Sequence, residues 1–369
     1  MAVLTACLSF TAAGASEIRI GFVNGITGPI SETAKELETL TAGYLEMVNA
    51  QGGVHGKRLK LVVRDDGYNP ARTATLTEEL VEKEKIVGLV NSAGTAPTLS
   101  VIKSGVLSRN RVPLVGVFSG ADAIRGPGSE EIYHTRPTYG QEIRKIAQLA
   151  STLGLKRIAV LYQDDAFGQG ILKRLEDSEK EFGLQVMAKV AYKPGTKDFA
   201  AQARSVESVS PQAIFLMGVP DSTYQFMKAY DAPAGAAQIY ALSFVTPKLL
   251  ADTAGDAKAR GIGISQVVPN PNSATIPLIK EFRTFLNTPY GKGITPSPVT
   301  LEGFLNIRLL LDAIRMAGPQ PTGEKVLQAL SGMQRYSVGG FQVDFADGNR
   351  NGSNFIDIAV VGRNARLQY

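Results

Sequence analysis

Two histidines, one cysteine and two acidic pairs are the first places to look for chemistry in this 369-residue chain. His55 sits in a glycine-rich turn (Gly52-Gly53-Val54-His55-Gly56), and His134 follows a predicted strand. Neither has a metal-ligand partner three or four residues further on, so neither reads as a metal ligand or a catalytic base. Asp65-Asp66 and Asp164-Asp165 stand just after predicted strands. Such pairs could hold a metal or act as acid and base, but aspartates there more often cap the next turn, and that is the reading adopted. No G-x-S-x-G elbow occurs. Gly52 to Lys57 is one residue short of a phosphate-binding loop, with Arg58 where Ser or Thr is required. Gly168-Gln169-Gly170 lacks the third glycine of a dinucleotide fingerprint. The expectation is a protein with no catalytic constellation, no cofactor and no metal.

The chemistry that remains is non-covalent. Asn91-Ser92-Ala93-Gly94-Thr95-Ala96-Pro97 follows one predicted strand and opens a helix, and Ser119-Gly120-Ala121-Asp122 follows the next. In open α/β sheets, ligands bind in the crevice at the carboxyl ends of the strands. A helix N-terminus there offers unpaired N–H groups that suit a carboxylate, and Ser and Thr hydroxyls add hydrogen bonds without a buried charge. The alternative is ordinary helix capping by Thr95 and Asp122. Two such segments at successive strand ends favour a ligand site.

The elements that must position these residues alternate. Strands are expected at 17–24, 59–64, 86–90 and 113–117, with helices at 33–50, 73–85 and 98–108 between them. The pattern restarts with strands at 157–162, 185–192 and 213–217 and helices at 168–182 and 198–206, the halves meeting near 136–140. A long helix follows at 301–316, and the tail returns to strands at 340–345 and 355–361. Strands alternating with helices of this length imply parallel βαβ units, hence an α/β protein with two doubly wound parallel sheets.

Composition agrees. With 39 Lys+Arg against 34 Asp+Glu, 44% hydrophobic and 20% charged residues, the chain reads as a two-domain globular protein. The net charge of +5 comes without a basic block, which argues against nucleic acid as a partner. Residues 2–15 are uncharged and end in Ala13-Gly14-Ala15, the close of a secretory signal peptide cleaved after Ala15, although the first basic residue is Arg19. Leu4-Thr5-Ala6-Cys7 also looks like a lipobox, which would instead make Cys7 a lipid anchor. Under either processing route the folded body has no cysteine for a disulfide, a thiol nucleophile or a zinc site.

Taken in order, Thr27-Gly28-Pro29, Asn49 through Leu59, Asp65-Asp66 with Pro70, Gly94-Thr95, Phe118 through Ala121 and Asp165 through Gly170 resemble periplasmic solute-binding proteins of ABC importers, of the leucine/isoleucine/valine-binding type. The resemblance runs through essentially the whole chain after the leader. It implies two lobes joined by three crossovers, with residues 16–136 and 266–338 in the first and 137–265 and 339–369 in the second. It also implies export to the periplasm, capture of a small carboxylate-bearing ligand by lobe closure, and delivery to a membrane permease. Carried over by position, Ser92 would hold the ligand carboxylate, with Gly94 and Thr95 beside it. Ser119, Gly120 and Ala121 would make a second contact, Phe167 would supply an opposing aromatic and Tyr139 would face the cleft. Gly218, Ser243 and Phe244 fall in the matching segments of the second lobe.

The departures bear on the ligand. Ser243 stands where amino-acid binders place an acid for the ligand ammonium, and Val219-Pro220 where they place an aromatic. The family's aromatic near Thr33 and its disulfide are missing as well. Either another acid such as Asp165 or Asp221 substitutes, or the ligand is an aliphatic or aromatic acid without an amino group. A ligand-sensing domain acting through a separate membrane partner is the other reading left open.

Overall fold

The computed structural model describes residues 17–231, 236–273 and 275–369; the leader and Cys7 lie outside these. Five parallel strands, β1 (Ile18–Asn24), β2 (Leu59–Asp65), β3 (Gly88–Val90), β4 (Leu114–Val115) and β5 (Ile132–Tyr133), form one sheet in the order β2-β1-β3-β4-β5. A second sheet carries β6 (Arg157–Gln163), β7 (Gln185–Tyr192), β8 (Ala213–Met217), β9 (Gln238–Ala241) and β10 (Gly263–Gln266) in the order β7-β6-β8-β9-β10. The same winding is thus used twice. Beyond β10, β13 (Asp357–Val361) and β14 (Leu367–Gln368) add antiparallel to the edge. The central strands β3, β8 and β10 are buried along their length, as expected for strands covered on both faces by crossover helices.

Local chemistry starts the helices. Asn69 and Pro70 open α2 (Pro70–Glu82), and Thr138 with Gln141 closes a capping box on α5 (Tyr139–Thr152). The Asp165 side chain accepts from the N–H groups of Phe167 and Gly168 and so caps α6 (Ala166–Phe182). Around the first sheet, α1 (Ser31–Ala50) packs on α12 (Pro298–Met316), which is buried on nearly every face and also touches β3 and β4. The helix expected at 98–108 is two: α3 (Thr95–Ser104) and α4 (Val106–Asn110), separated by Gly105 at φ 66°. A left-handed glycine ends a helix, and the apolar periodicity running through it concealed the break.

The chain passes between the sheets three times: after β5, after β10, and before β13. The last passage comes later than residue 338, where the resemblance put it. A hairpin of β11 (Tyr336–Val338) and β12 (Phe341–Val343) straddles that point. Phe341, Val343 and Phe345 are buried in the same core as Tyr133, Phe304 and Val326, so their burial keeps the chain with the first sheet. The Gly352 N–H donates to the His134 carbonyl at 2.8 Å, marking the far end of that stay. No described helix is long and apolar enough to cross a membrane.

Candidate ligand cleft

Each wall of the cleft between the sheets begins just past a strand's carboxyl end. After β2 the Asp65 carboxylate accepts from the Thr27 N–H (3.0 Å) and hydroxyl (2.8 Å) and from the Gly67 N–H (3.0 Å). Asp66 accepts from the Tyr68 N–H and the Thr73 hydroxyl, both at 2.7 Å. The first acidic pair is therefore a turn cap. It holds Tyr68 at φ 61°, a sparsely populated conformation for a bulky residue. The Tyr68 phenol lies near Gln163 and Asp165, at and just past the end of β6 in the second sheet, and burial pushes it well above its ordinary range. Gly94, at φ 96°, makes room for it, since a Cβ there would lie 2.6 Å from the Tyr68 ring.

After β3 the chain enters α3 with Gly94 as N-cap and no side chain capping the first turn. Thr95 does not cap the helix. Its hydroxyl lies 2.9 Å from that of Ser119, past β4, tying two strand ends together. The Tyr139 N–H donates to the Gly120 carbonyl at 2.7 Å, and burial pushes the Tyr139 phenol up to about 12, so it remains a neutral group. Tyr139 meets Phe167 edge-on at 5.2 Å between centroids and Phe244 at 5.9 Å.

These residues line a cleft open to solvent, with about 450 Å³ of atom-free space when its open mouth is counted. The first lobe lines it with Asn24, Ile30, Thr33, Ala34, Tyr68, Ala93, Gly94, Thr95 and Phe118; Tyr139, Phe167, Val219, Pro220 and Phe244 face them. Five of the lining side chains are aromatic, and none is Asp, Glu, Lys, Arg or His. Among the described residues no acidic, histidine or cysteine cluster could hold a metal.

Of the residues expected from sequence, Gly94, Thr95, Tyr139, Phe167 and Phe244 line this space. Ser92, Ser119, Gly120, Ala121, Gly218 and Ser243 stand behind it. Ser119 and Ser92 are buried, and Ser119 also accepts from the Ala121 N–H at 3.3 Å. Gly218 packs on Tyr192, whose hydroxyl would lie 2.8 Å from a Cβ added there. Ser243 is turned into a polar network: its hydroxyl accepts from Arg136 at 3.2 Å, and its N–H donates to Glu142 at 3.3 Å. Arg136 grips both oxygens of Glu302 at 2.8 Å and stacks on Phe244, with its guanidinium carbon 4.2 Å from the ring centroid. Burial opposes the Arg136 charge, but the neighbouring carboxylate of Glu302 outweighs it and raises the pKa above its ordinary value.

Sequence reasoning missed Asn24, Tyr68, Arg136 and Glu302. The first two stand at or just past the ends of β1 and β2, so the strand-end rule that selected Ser92 and Ser119 also covers them. Arg136 and Glu302 are 166 residues apart and carry no local signal.

Residues 17–364 match the periplasmic binding protein family. The chain is 33% identical to a substrate-binding periplasmic protein from Ralstonia solanacearum, with a TM-score of 0.88 over 94% of this chain and 98% of that one. It is 26% identical to Leu/Ile/Val-binding protein homolog 7 of Brucella abortus, over 85% of this chain and 81% of the relative. It is also 24% identical to homolog 3 of Brucella melitensis biotype 1, over 58% of this chain and only 57% of that relative's length. The strand order of both sheets, the cleft between their carboxyl edges and these matches agree that the chain belongs to the periplasmic binding protein family.

Proposed function

We propose that this protein is the exported substrate-binding component of an ABC-type importer, capturing a small carboxylate-bearing ligand and handing it to a membrane permease. The observation that carries this reading is the cleft itself, walled by strand-end residues of both sheets with hydroxyls and an uncapped helix N-terminus on one side. Its first lobe comprises residues 16 to about 352 less 137–265, and the second comprises 137–265 and the remaining tail. Contacts made by a ligand to both walls favour the closed arrangement by their differential affinity, which is the whole mechanism required. Thr95, Tyr139 and the α3 N-terminus bind and orient; no bond of the ligand is altered.

A thermal-shift screen of the chain from Ser16 onward, against small amino acids, simple carboxylic acids and uncharged solutes such as sugars and amides, tests this. A bound ligand at ~100 times its Kd adds about 2.7 kcal/mol of stability, visible as a raised midpoint. A panel of carboxylates that moves the midpoint nowhere, while uncharged solutes do, would overturn the carboxylate assignment.

A further inference from the structure

We infer that the ligand is an apolar carboxylic acid, aromatic or branched aliphatic, that carries no ammonium group. The inference rests on the cleft being the binding site for a carboxylate. An α-amino acid buried there needs an acceptor for its ammonium, and a buried unpaired charge is strongly disfavoured. The lining supplies no carboxylate for that pairing, only the neutral side-chain oxygens of Asn24, Thr33, Tyr68, Thr95 and Tyr139.

Of the carboxylates nearby, Glu36 on α1, one turn past Thr33, does not line the cleft and is pushed toward its neutral form by burial, and four others are engaged elsewhere. Asp165 takes the Gln163 amide at 2.7 Å and the Phe167 and Gly168 N–H groups. Asp221 is paired with Lys197 at 2.6 Å. Glu302 is held by Arg136, and Glu142 accepts from the Ser265 hydroxyl at 2.6 Å. One Glu142 oxygen and one Arg136 nitrogen are buried without partners, but neither residue lines the cleft. Position 243, where an acid would do this work, presents its hydroxyl to a guanidinium instead.

Aromatic rings can hold a cation by their faces. Here Phe244 already faces the Arg136 guanidinium at 4.2 Å, and Phe118 faces it at 5.5 Å. A second cation across those rings would meet a like charge. The remaining cleft features suit the two ends of a simple acid: Thr95 and the uncapped start of the ten-residue α3 for the carboxylate, and the aromatic walls for an apolar body.

Isothermal titration calorimetry on the chain from Ser16 onward, with the matched pairs 4-methylpentanoate and leucine, and 3-phenylpropanoate and phenylalanine, decides the matter. The expected result is that in at least one pair the acid without the amino group binds tenfold or more tighter. Tighter binding of leucine or phenylalanine would overturn the inference and leave the importer reading standing. No heat from either member of either pair would instead remove the carboxylate assignment, and the inference with it.

Discussion

Thr95 illustrates how one hydroxyl serves the cleft. It is the first residue of α3 yet leaves that helix uncapped and bonds Ser119 across two strand ends. Thr95→Val keeps the shape and removes the hydroxyl, so it should weaken ligand binding by about 1–3 kcal/mol, read by calorimetry, and should also lower the free protein's stability by about 1 kcal/mol through the lost buried bond to Ser119. Glu36, on the cleft-facing helix α1, makes a different prediction. Burial, with help from Glu32, pushes its carboxyl from 4.5 up to about 7. The folded state therefore holds a proton that the unfolded chain releases, so stability from this residue is complete below about pH 4.5 and is lost as pH rises through about 7. Glu36→Gln should remove a slope of up to ~1.4 kcal/mol per pH unit in that window, and urea midpoints of both proteins at pH 5 and 8 would show the gap change. At this scale the sequence was partly legible. Thr95, Tyr139 and Phe167 were accessible from strand-end position and resemblance. The strand-end rule covers Tyr68 as well, but not the direction of its side chain, which depends on a left-handed backbone held by the Asp66 contact.

Among the elements, the segment joining β5 to α5 carries the heaviest constraint. It delivers Arg136 to Glu302 on α12 and to Ser243 after β9, so one side chain connects both sheets. Arg136→Met should cost about 3–5 kcal/mol because it strands the Glu302 charge in the interior. The double variant Arg136→Met with Glu302→Leu should recover most of that loss, as measured by urea denaturation, since an apolar pair has no charge to desolvate. Strands such as β1, β6 and β8 were readable almost to the residue, because their near-continuous apolar runs end in turn residues. The strand at 341–343 was also expected, but its hairpin partner at 336–338 and the break at Gly105 were not. Their position depends on which core receives Phe341 and on a single backbone angle, and neither leaves a periodic trace.

For the whole molecule, side chains from both sheets meet across the cleft, as Phe118 and Phe244 flank Arg136. The repeated strand order was legible as a repeat of alternating elements; the manner in which the tail returns was not. That return has a consequence for how the chain folds. The core of the first lobe contains Phe304 and Leu310 from α12 and Val343 and Phe345 from beyond it, packed against Ile20 and Tyr44 near the start. A chain emerging from its amino end can finish the middle strands of the second sheet while the first still lacks its central helix. Contacts spanning some three hundred residues of sequence close last and slowly. Neither lobe is thus complete before the tail is made, the first waiting for α12 and the residues up to Phe345 and the second for β13 and β14, an order that keeps a newly made chain extensible until nearly all of it is available.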